Sequence, residues 1–389
     1  MKNGIIKVEE ELLLELCRLD FNDKNLKKVK SLVLNVRDWD YFKNLANVHG
    51  VAALAWNNLE RQNLLDGIPY PVQNYLRNTL MISLSRNTFN TEAMGEVLRL
   101  MNKNNIKTVI LKGLALENSI YGNSGLRQMS DVDILIARKE CMRAREILIS
   151  NGYRSLPVKS FFHKIILAYA GKHLPSLIKS GTSVEIHHDL FGGINDELTR
   201  ILYESSYEVE IKGEKAWFPQ PQLFFIYLVR HLWLHELNNE SQLRLYTDLV
   251  ILLEKNNGEI LNPDLISLAA DAGISDILAD HLEVLRDIWD VEFPGWLNDF
   301  ICNFSGKDFI KKFIFFVGSP KDNLPCDKPR FYRNLVKDIP GFHRRFLFIL
   351  GDIFPSFTFM KDRYGCNSNW RALRYYPHRL GKLLWLIRK

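Results

Sequence analysis

The N-terminal part of the chain carries a helical pattern of apolar and polar positions. Apolar residues between 12 and 17 recur at the three-to-four-residue spacing of one helix face, and three glutamates precede them. Two longer stretches of the same kind follow at 39–59 and 71–101. The pattern predicts that residues 8–100 are mainly helical.

Short apolar runs replace this pattern in the middle of the chain. The runs 106–111, 131–137 and 183–189 are rich in β-branched residues or alternate between polar and apolar positions, which is typical of β-strands. A fourth strand is expected at 207–213, and a helix is expected at 138–150. Strands separated by helical stretches indicate a mixed unit of helices and strands.

Helical periodicity returns at Pro219 and continues, with interruptions by proline, toward the C-terminus. We therefore expect an α+β protein in which a small mixed sheet lies between two helical segments. The predicted segments are an N-terminal helical segment at 1–104, an α/β core at 105–218 and a C-terminal helical segment with a basic tail at 219–389.

The composition narrows the class of protein. The 389 residues are 47% hydrophobic and 25% charged, as in ordinary globular proteins, which disfavours disordered and coiled-coil classes. No apolar run reaches the ~18 residues of a membrane span, and the N-terminus lacks the apolar stretch of a secretion signal. Five scattered cysteines without a Cys-x-x-Cys pair argue against disulfide frameworks and thiolate zinc sites. We expect a cytoplasmic protein that does not contact a membrane.

Positive charge is concentrated near the C-terminus. Residues 321–389 contain 15 Lys/Arg and 5 Asp/Glu, whereas the rest of the chain is slightly acidic. Arginines and aromatic residues alternate there, a mixture that suits a polyanion such as RNA. The alternative, which we favour because leucines are interleaved with the arginines, is an amphipathic helical surface packed on the protein.

The sequence Asp131-Val-Asp133 is the strongest chemical signal. Side chains of a strand alternate between its two faces, so both carboxylates lie on one face while Val132 points to the other. Two carboxylates on one face repel each other unless a cation lies between them, and Mg²⁺ prefers such oxygen ligands. An exposed edge strand would explain the pair equally well.

Further candidates stand on either side of this pair in the sequence. Glu185 and His187 share one face of a later predicted strand, where a third carboxylate would complete an acidic metal cluster and the imidazole would orient a ligand carboxylate. Lys112 and Gly113 follow the first strand, where glycine permits close backbone approach and lysine neutralises phosphate oxygens. Arg127 is a second candidate phosphate contact.

These motifs resemble the polymerase-β-like nucleotidyltransferase superfamily. The stretches 111–121 and 126–136 are most similar to an uncharacterised bacterial branch that carries Lys-Gly in place of the usual Gly-Ser, followed by Arg-x3-Asp-x-Asp. In that branch an acidic residue followed by x-His stands on a later strand, and Glu185-Ile-His187 fits this place. Seventeen residues separate Gly113 from Asp131, more than in the common motif, and no serine follows Gly113.

The resemblance implies a nucleotidyltransferase core and a set of site residues. The expected function is Mg²⁺-dependent transfer of an NMP group from an NTP to a hydroxyl acceptor (a small molecule, RNA or protein), with release of pyrophosphate. The alternative is a non-catalytic module of the same fold that binds RNA or a protein partner. The expected roles are a two-ion Mg²⁺ site and catalysis by Asp131, Asp133 and Glu185, nucleotide binding by Lys112, Gly113 and Arg127, and support of the metal ligands by His187 and Asp248.

Two interpretations of Asp248 stay open at this stage. It follows a pair of histidines in a predicted helical segment, as a later aspartate does in the bacterial branch, which would bring it near the active site. It would equally well serve as a capping or hydrogen-bonding residue within a helical bundle.

Overall fold

The computed structural model describes residues 6–191, 196–237, 240, 242–306, 308–319, 328–337 and 339–388. Helices dominate both ends of this part of the chain, and the strands lie in its middle third.

Five helices precede the first strand, and mixed elements follow as far as residue 218. In chain order these are α1 (Val8–Glu15), α2 (Asp23–Asn35), α3 (Trp39–Val48), α4 (Ala52–Arg61), α5 (Tyr70–Lys103), β1 (Val109–Leu111), α6 (Lys112–Leu116), a π-helical turn (Glu117–Tyr121), β2 (Asp131–Leu135), α7 (Arg138–Ser150), β3 (Arg154–Ser155), α8 (Phe161–Ile165), β4 (Leu177–Lys179), β5 (Thr182–His187), α9 (Asp196–Ser205), β6 (Tyr207–Ile211) and β7 (Glu214–Phe218).

Every later element of the described chain is helical. These helices are α10 (Pro221–Leu237), α11 (Leu243–Ile260), α12 (Asp264–Asp271), α13 (Ser275–Trp289), α14 (Gly295–Phe304), α15 (Phe309–Gly318), α16 (Lys328–Lys337), α17 (Phe342–Ile353), α18 (Phe357–Tyr364), α19 (Asn369–Leu373) and α20 (Tyr375–Arg388).

The strands of the described residues form one seven-stranded mixed sheet in the order β3-β4-β5-β2-β1-β7-β6. The β2/β5 and β1/β7 pairs are parallel, whereas β3/β4, β4/β5 and β6/β7 are antiparallel. Strand β2 lies in the interior of the sheet, and four of its five residues are buried. The two aspartates predicted to share a face therefore belong to a central strand rather than to an exposed edge.

Contacts between residues divide the chain into two units. Unit 1 contains the N-terminal helices through the first part of α5, the segment Leu111–Ser130 and the segment Pro219–Pro325. Its core is helical, and Tyr246 packs there against Trp289 and Phe313, with ring centroids 6.4 and 4.8 Å away. This packing buries the apolar face of α11 among other helices.

Unit 2 contains the end of α5, most of the sheet and the C-terminal helices. Its ranges are Ala93–Ile110, Asp131–Phe218 and Cys326–Lys389, so the predicted core segment 105–218 contributes to both units. Helix α17 approaches α8 so closely that a Cβ at Gly351 would overlap the ring of His163. Buried Asp352, the next residue of α17, pairs with Lys159 and accepts a hydrogen bond from the Tyr332 hydroxyl at 2.7 Å.

The expected α+β class, with a mixed sheet flanked by helices, is confirmed. Helix α7 has the predicted bounds, and the four predicted strands correspond to β1, β2, β5 and β6. The pattern did not predict β3, β4 and β7. Strands β3 and β4 have two and three residues, too few to show a period, and β7 begins with two charged residues.

Strand β7 nevertheless has a local signal in the turn that leads into it. Lys212 and Gly213 connect β6 to β7 and have φ angles of 54° and 76°. Positive φ at both central residues defines the two-residue hairpin turn that matches the twist of paired strands, and glycine favours it.

Among the described residues, no helix has the length and apolar character needed to cross a membrane.

Candidate active site

Parallel pairing of β2 with β5 brings the predicted carboxylates together in unit 2. The register places Asp131 beside Ser183, Asp133 beside Glu185, and Leu135 beside His187. Side chains paired in register point to the same face of the sheet. Asp133, Glu185 and His187 therefore share one face, although β2 and β5 are far apart in sequence.

The three side chains converge at short distances. His187 Nε2 lies 2.7 Å from Asp133 Oδ1 and 3.7 Å from Glu185 Oε2. Asp133 and His187 are nearly inaccessible to solvent, whereas Glu185 keeps 18% of its side chain exposed. The cluster thus has a buried floor and one carboxylate that reaches toward solvent.

A segment that precedes β4 adds two polar side chains to this cluster. The Ser176 hydroxyl donates a hydrogen bond of 2.9 Å to Glu185 Oε1, and His173 Nε2 lies 3.9 Å from Glu185 Oε2. An isolated antiparallel bridge pairs His173 with His187 and fixes the segment against β5. Both carboxylate oxygens of Glu185 thus have polar neighbours.

His173 and Ser176 are site residues that the sequence reasoning missed. The intervening residues carry no strand pattern, so nothing in the sequence indicated that this segment folds back onto β5. The available signal was a histidine and a serine just before a short antiparallel strand, which is too common to point to a site.

The cluster has the chemistry of a divalent-metal site. Ligand atoms of Asp133, Glu185 and His187 all lie within 4.8 Å of one another. Two adjacent carboxylates repel each other, and a cation between them removes that repulsion. Asp131 begins β2 on the same face and is partly buried. Carboxylate oxygens suit Mg²⁺, and an imidazole nitrogen suits transition-metal ions. The residues present therefore fit a divalent ion.

Arg127 and Asp248 are joined in unit 1 by a bidentate ion pair. Arg127 Nε donates to Asp248 Oδ1 at 2.8 Å, and Nη2 donates to Oδ2 at 2.7 Å. The Tyr121 hydroxyl donates a third hydrogen bond, of 2.8 Å, to the same carboxylate. Burial raises the pKa of Tyr121 well above its usual value of 10, so the hydroxyl keeps its proton. Both charged side chains are almost completely buried.

The turn after β1 is packed against this arginine. Lys112 follows β1 directly with a φ of 47°, and Gly113 comes next. A Cβ at Gly113 would lie 2.6 Å from Arg127 Nη1 and 3.1 Å from the sulfur of Met129. The missing side chain of Gly113 thus makes room for the arginine, which is a packing reason for glycine at this position.

The basic C-terminal region contains both exposed and internally bonded arginines. Arg371 and Arg374 are exposed, and the Trp370 residue is 82% exposed. In contrast, Arg379 Nε donates to the backbone oxygen of Asp352 at 3.0 Å. At least one of these arginines therefore supports helix packing in unit 2, as the favoured interpretation of this region expects.

Comparisons with known proteins identify the family. The sequence matches the family described as uncharacterised nucleotidyltransferase over residues 35–290. The chain is also similar to an antigenic nucleotidyltransferase-like protein from Paracoccidioides brasiliensis, with 14% identity and a TM-score of 0.32 over 56% of this chain and 94% of that one. No curated protein matches the sequence. The family match spans well over half of the chain, so the protein belongs to the uncharacterised nucleotidyltransferase family, as the sequence motifs predicted.

Proposed function

We propose that this protein is a Mg²⁺-dependent nucleotidyltransferase that moves an NMP group from an NTP to a hydroxyl acceptor. The acceptor oxygen forms a bond to the α-phosphorus, and the bond from that phosphorus to pyrophosphate breaks. Glu185 is the candidate group that receives the acceptor's proton. Family membership supports the reaction class, and the single observation that carries the proposal is the pairing of Asp133 with Glu185.

Asp131, Asp133 and Glu185 are the proposed Mg²⁺ ligands. Ions held by these carboxylates would polarise the α-phosphate and lower the pKa of the acceptor hydroxyl. The protein's own contribution is to fix the ligands before substrate arrives. Ser176 holds one oxygen of Glu185, and His187 holds one oxygen of Asp133. Such pre-orientation reduces the reorganisation that the reaction requires.

Lys112, Gly113 and Arg127 are the proposed nucleotide-binding residues, with different tasks. Lys112 is the candidate phosphate contact, and its left-handed backbone is the kind of strained conformation that collects at functional sites. Arg127 is paired with Asp248 and lies against Gly113. We infer that Arg127 contributes by holding the turn that carries Lys112.

The decisive experiment measures transfer from α-³²P-labelled NTPs. Purified protein is incubated with each nucleotide, Mg²⁺ and fractionated cell extract, and both labelled product and pyrophosphate are quantified. We expect product with the native protein and at least a ~100-fold loss in Asp133→Asn, since the variant removes charge that the transition state needs. Glu210→Gln, which changes an exposed carboxylate on β6, is the matched control and should retain activity.

Two results would contradict the proposal. Transfer of label by folded Asp133→Asn at the native rate would remove the cluster from the reaction. The absence of both labelled product and pyrophosphate, with native protein, all four NTPs and every extract fraction, would reject nucleotidyl transfer.

A further inference from the structure

We propose that His187 is itself a metal ligand, so that the Asp133–Glu185–His187 cluster binds divalent transition-metal ions more tightly than Mg²⁺. The inference deepens the proposed function, because it rests on the same site and adds one ligand and the class of ion. It changes the expected role of His187 from supporting a carboxylate to binding the ion directly.

Distances around the imidazole support a direct role. Donors that bind one ion at about 2.0–2.2 Å stand roughly 3–4 Å from one another. His187 Nε2 lies 3.7 Å from Glu185 Oε2, within that range, and donates a hydrogen bond of 2.7 Å to Asp133 Oδ1. A histidine that only supports a ligand faces one carboxylate, whereas this nitrogen lies near both. Binding of an ion would require the proton to leave Nε2, because a ligating imidazole uses the lone pair of that nitrogen.

The sheet fixes all three donors without help from a loop. Glu185 and His187 stand two residues apart on β5, and Asp133 is the register partner of Glu185. A site built on paired strands holds its ligand geometry better than a site built on loops. The side chains of Asp133 and His187 are each only 4% exposed, so water competes little for them.

The donor set then determines the class of ion. Mg²⁺ takes oxygen ligands and retains several waters, so an imidazole nitrogen adds little to its binding. First-row transition ions accept imidazole as well as carboxylate. Two carboxylate oxygens with one imidazole nitrogen therefore favour a transition ion, and Mn²⁺ is a suitable probe because it is paramagnetic.

His173 supplies a matched control from the same site. Its Nδ1 lies 2.9 Å from the backbone oxygen of Leu174, which only accepts hydrogen bonds, so Nδ1 carries the proton. Its Nε2 lies near Glu185, and 43% of the side chain is exposed. The ligand atoms that lie within 4.8 Å of one another are those of Asp133, Glu185 and His187. Losing His173 should therefore leave the nitrogen ligand in place.

The test follows Mn²⁺ binding to the full-length protein by electron paramagnetic resonance. Native protein should bind Mn²⁺ with a spin-echo modulation from ¹⁴N of an imidazole, and Mg²⁺ should displace it only at more than ~10-fold higher concentration. His187→Gln should bind Mn²⁺ at least ~10-fold more weakly and lose the nitrogen modulation. His173→Gln should retain both the affinity and the modulation.

A second measurement covers the case in which His187→Gln does not fold. Native protein labelled with ¹⁵N at histidine only should show ¹⁵N in place of ¹⁴N coupling, whatever the fate of the variant. Bound Mn²⁺ without nitrogen coupling, or coupling that persists in folded His187→Gln, would overturn the inference. Transfer activity separates the two proposals: activity without nitrogen coupling rejects only the ligand assignment, and coupling without activity rejects only the reaction.

Discussion

Two buried carboxylates, Asp133 and Asp248, have contrasting surroundings. Asp248 accepts two hydrogen bonds from a guanidinium and one from the Tyr121 hydroxyl, so its charge is balanced by Arg127. Asp133 instead stands beside a second carboxylate, Glu185, and an imidazole. In one network a carboxylate is paired with a guanidinium, and in the other two carboxylates and an imidazole lie together on one face of the sheet.

The contrast separates structural from chemical roles among residues that look alike in the sequence. A bidentate ion pair with arginine provides hydrogen-bond donors for both oxygens of a buried carboxylate. It also fixes the segments that carry the two residues. Two carboxylates held together by strand register repel each other, and a cation nearby weakens that repulsion. Asp248 therefore joins two segments of unit 1, whereas the cluster around Asp133 has the ligand types of a divalent-metal site.

Breaking the Arg127–Asp248 pair should have the largest effect on stability. Arg127→Met removes both guanidinium hydrogen bonds from Asp248, and removing one partner of a buried pair costs about 3–5 kcal/mol. Asp133→Asn should change the free energy of unfolding by less than about 1 kcal/mol, because it also relieves carboxylate repulsion. Urea unfolding of both variants measures the difference.

A stable Arg127→Met variant would contradict the structural role assigned to the Arg127–Asp248 pair. If Arg127→Met kept its stability and instead weakened NTP binding, Arg127 would be the phosphate contact that the sequence predicted. A double variant, Arg127→Met with Asp248→Leu, should be more stable than Arg127→Met alone, since it leaves no buried charge unpaired.

Acid should weaken unit 1 through His49, which anchors the start of α11, the helix that carries Asp248. His49 Nδ1 accepts from the Leu243 backbone N–H at 3.1 Å, and Nε2 donates to the Val317 oxygen at 2.9 Å. Burial lowers the pKa of His49 from 6.5 to about 4. Its contribution is therefore present above pH 6.5 and is lost as the pH falls toward 4, by up to about 3 kcal/mol.

His49→Gln provides the comparison for this effect. The native protein should be clearly more stable than the variant at pH 7.5, and this advantage should shrink as the pH falls from 6.5 to 4. Free energies of unfolding at each pH measure the gap. A gap that stays constant over this range would show that His49 does not titrate with folding.

A smaller effect should follow from adding one methyl group at Gly113. Gly113→Ala places a Cβ 2.6 Å from Arg127 Nη1, and overpacking of this kind costs about 1–3 kcal/mol. Gly258→Ala, where nothing lies within 4 Å, is the control and should be neutral or slightly stabilising. Thermal unfolding distinguishes them, and equal behaviour of the two variants would remove the packing explanation for Gly113.

The alternation of polar and apolar residues predicted the strands that carry the candidate site. The alternation in Asp131-Val-Asp133 and in Glu185-Ile-His187 predicted two strands with polar faces, and the structure contains both as β2 and β5. The third carboxylate was expected on a neighbouring strand, and the register pairs Asp133 with Glu185. The metal and catalytic roles of these residues stay predictions.

Partners that are distant in the sequence could not be predicted in the same way. Arg127 was expected to contact phosphate because it stands four residues before Asp131 in the sequence. Its ion pair with Asp248 depends on the packing of α11, which periodicity does not specify. His173 reaches Glu185 only because an isolated bridge holds its segment against β5. Such contacts are determined by tertiary structure.

The parallel pairing of β2 with β5 also determines when the cluster can form during folding. Strand β2 ends at Leu135, and β5 begins at Thr182 after α7, β3, α8 and β4. Pairings across such a separation form late, because the chain loses the entropy of the intervening loop before the strand contacts stabilise the pair. A growing chain has no cluster until His187 has left the ribosome. An ion held by Asp133 and Glu185 would bind only the folded chain, and at 100 times its Kd it would stabilise that state by about 2.7 kcal/mol.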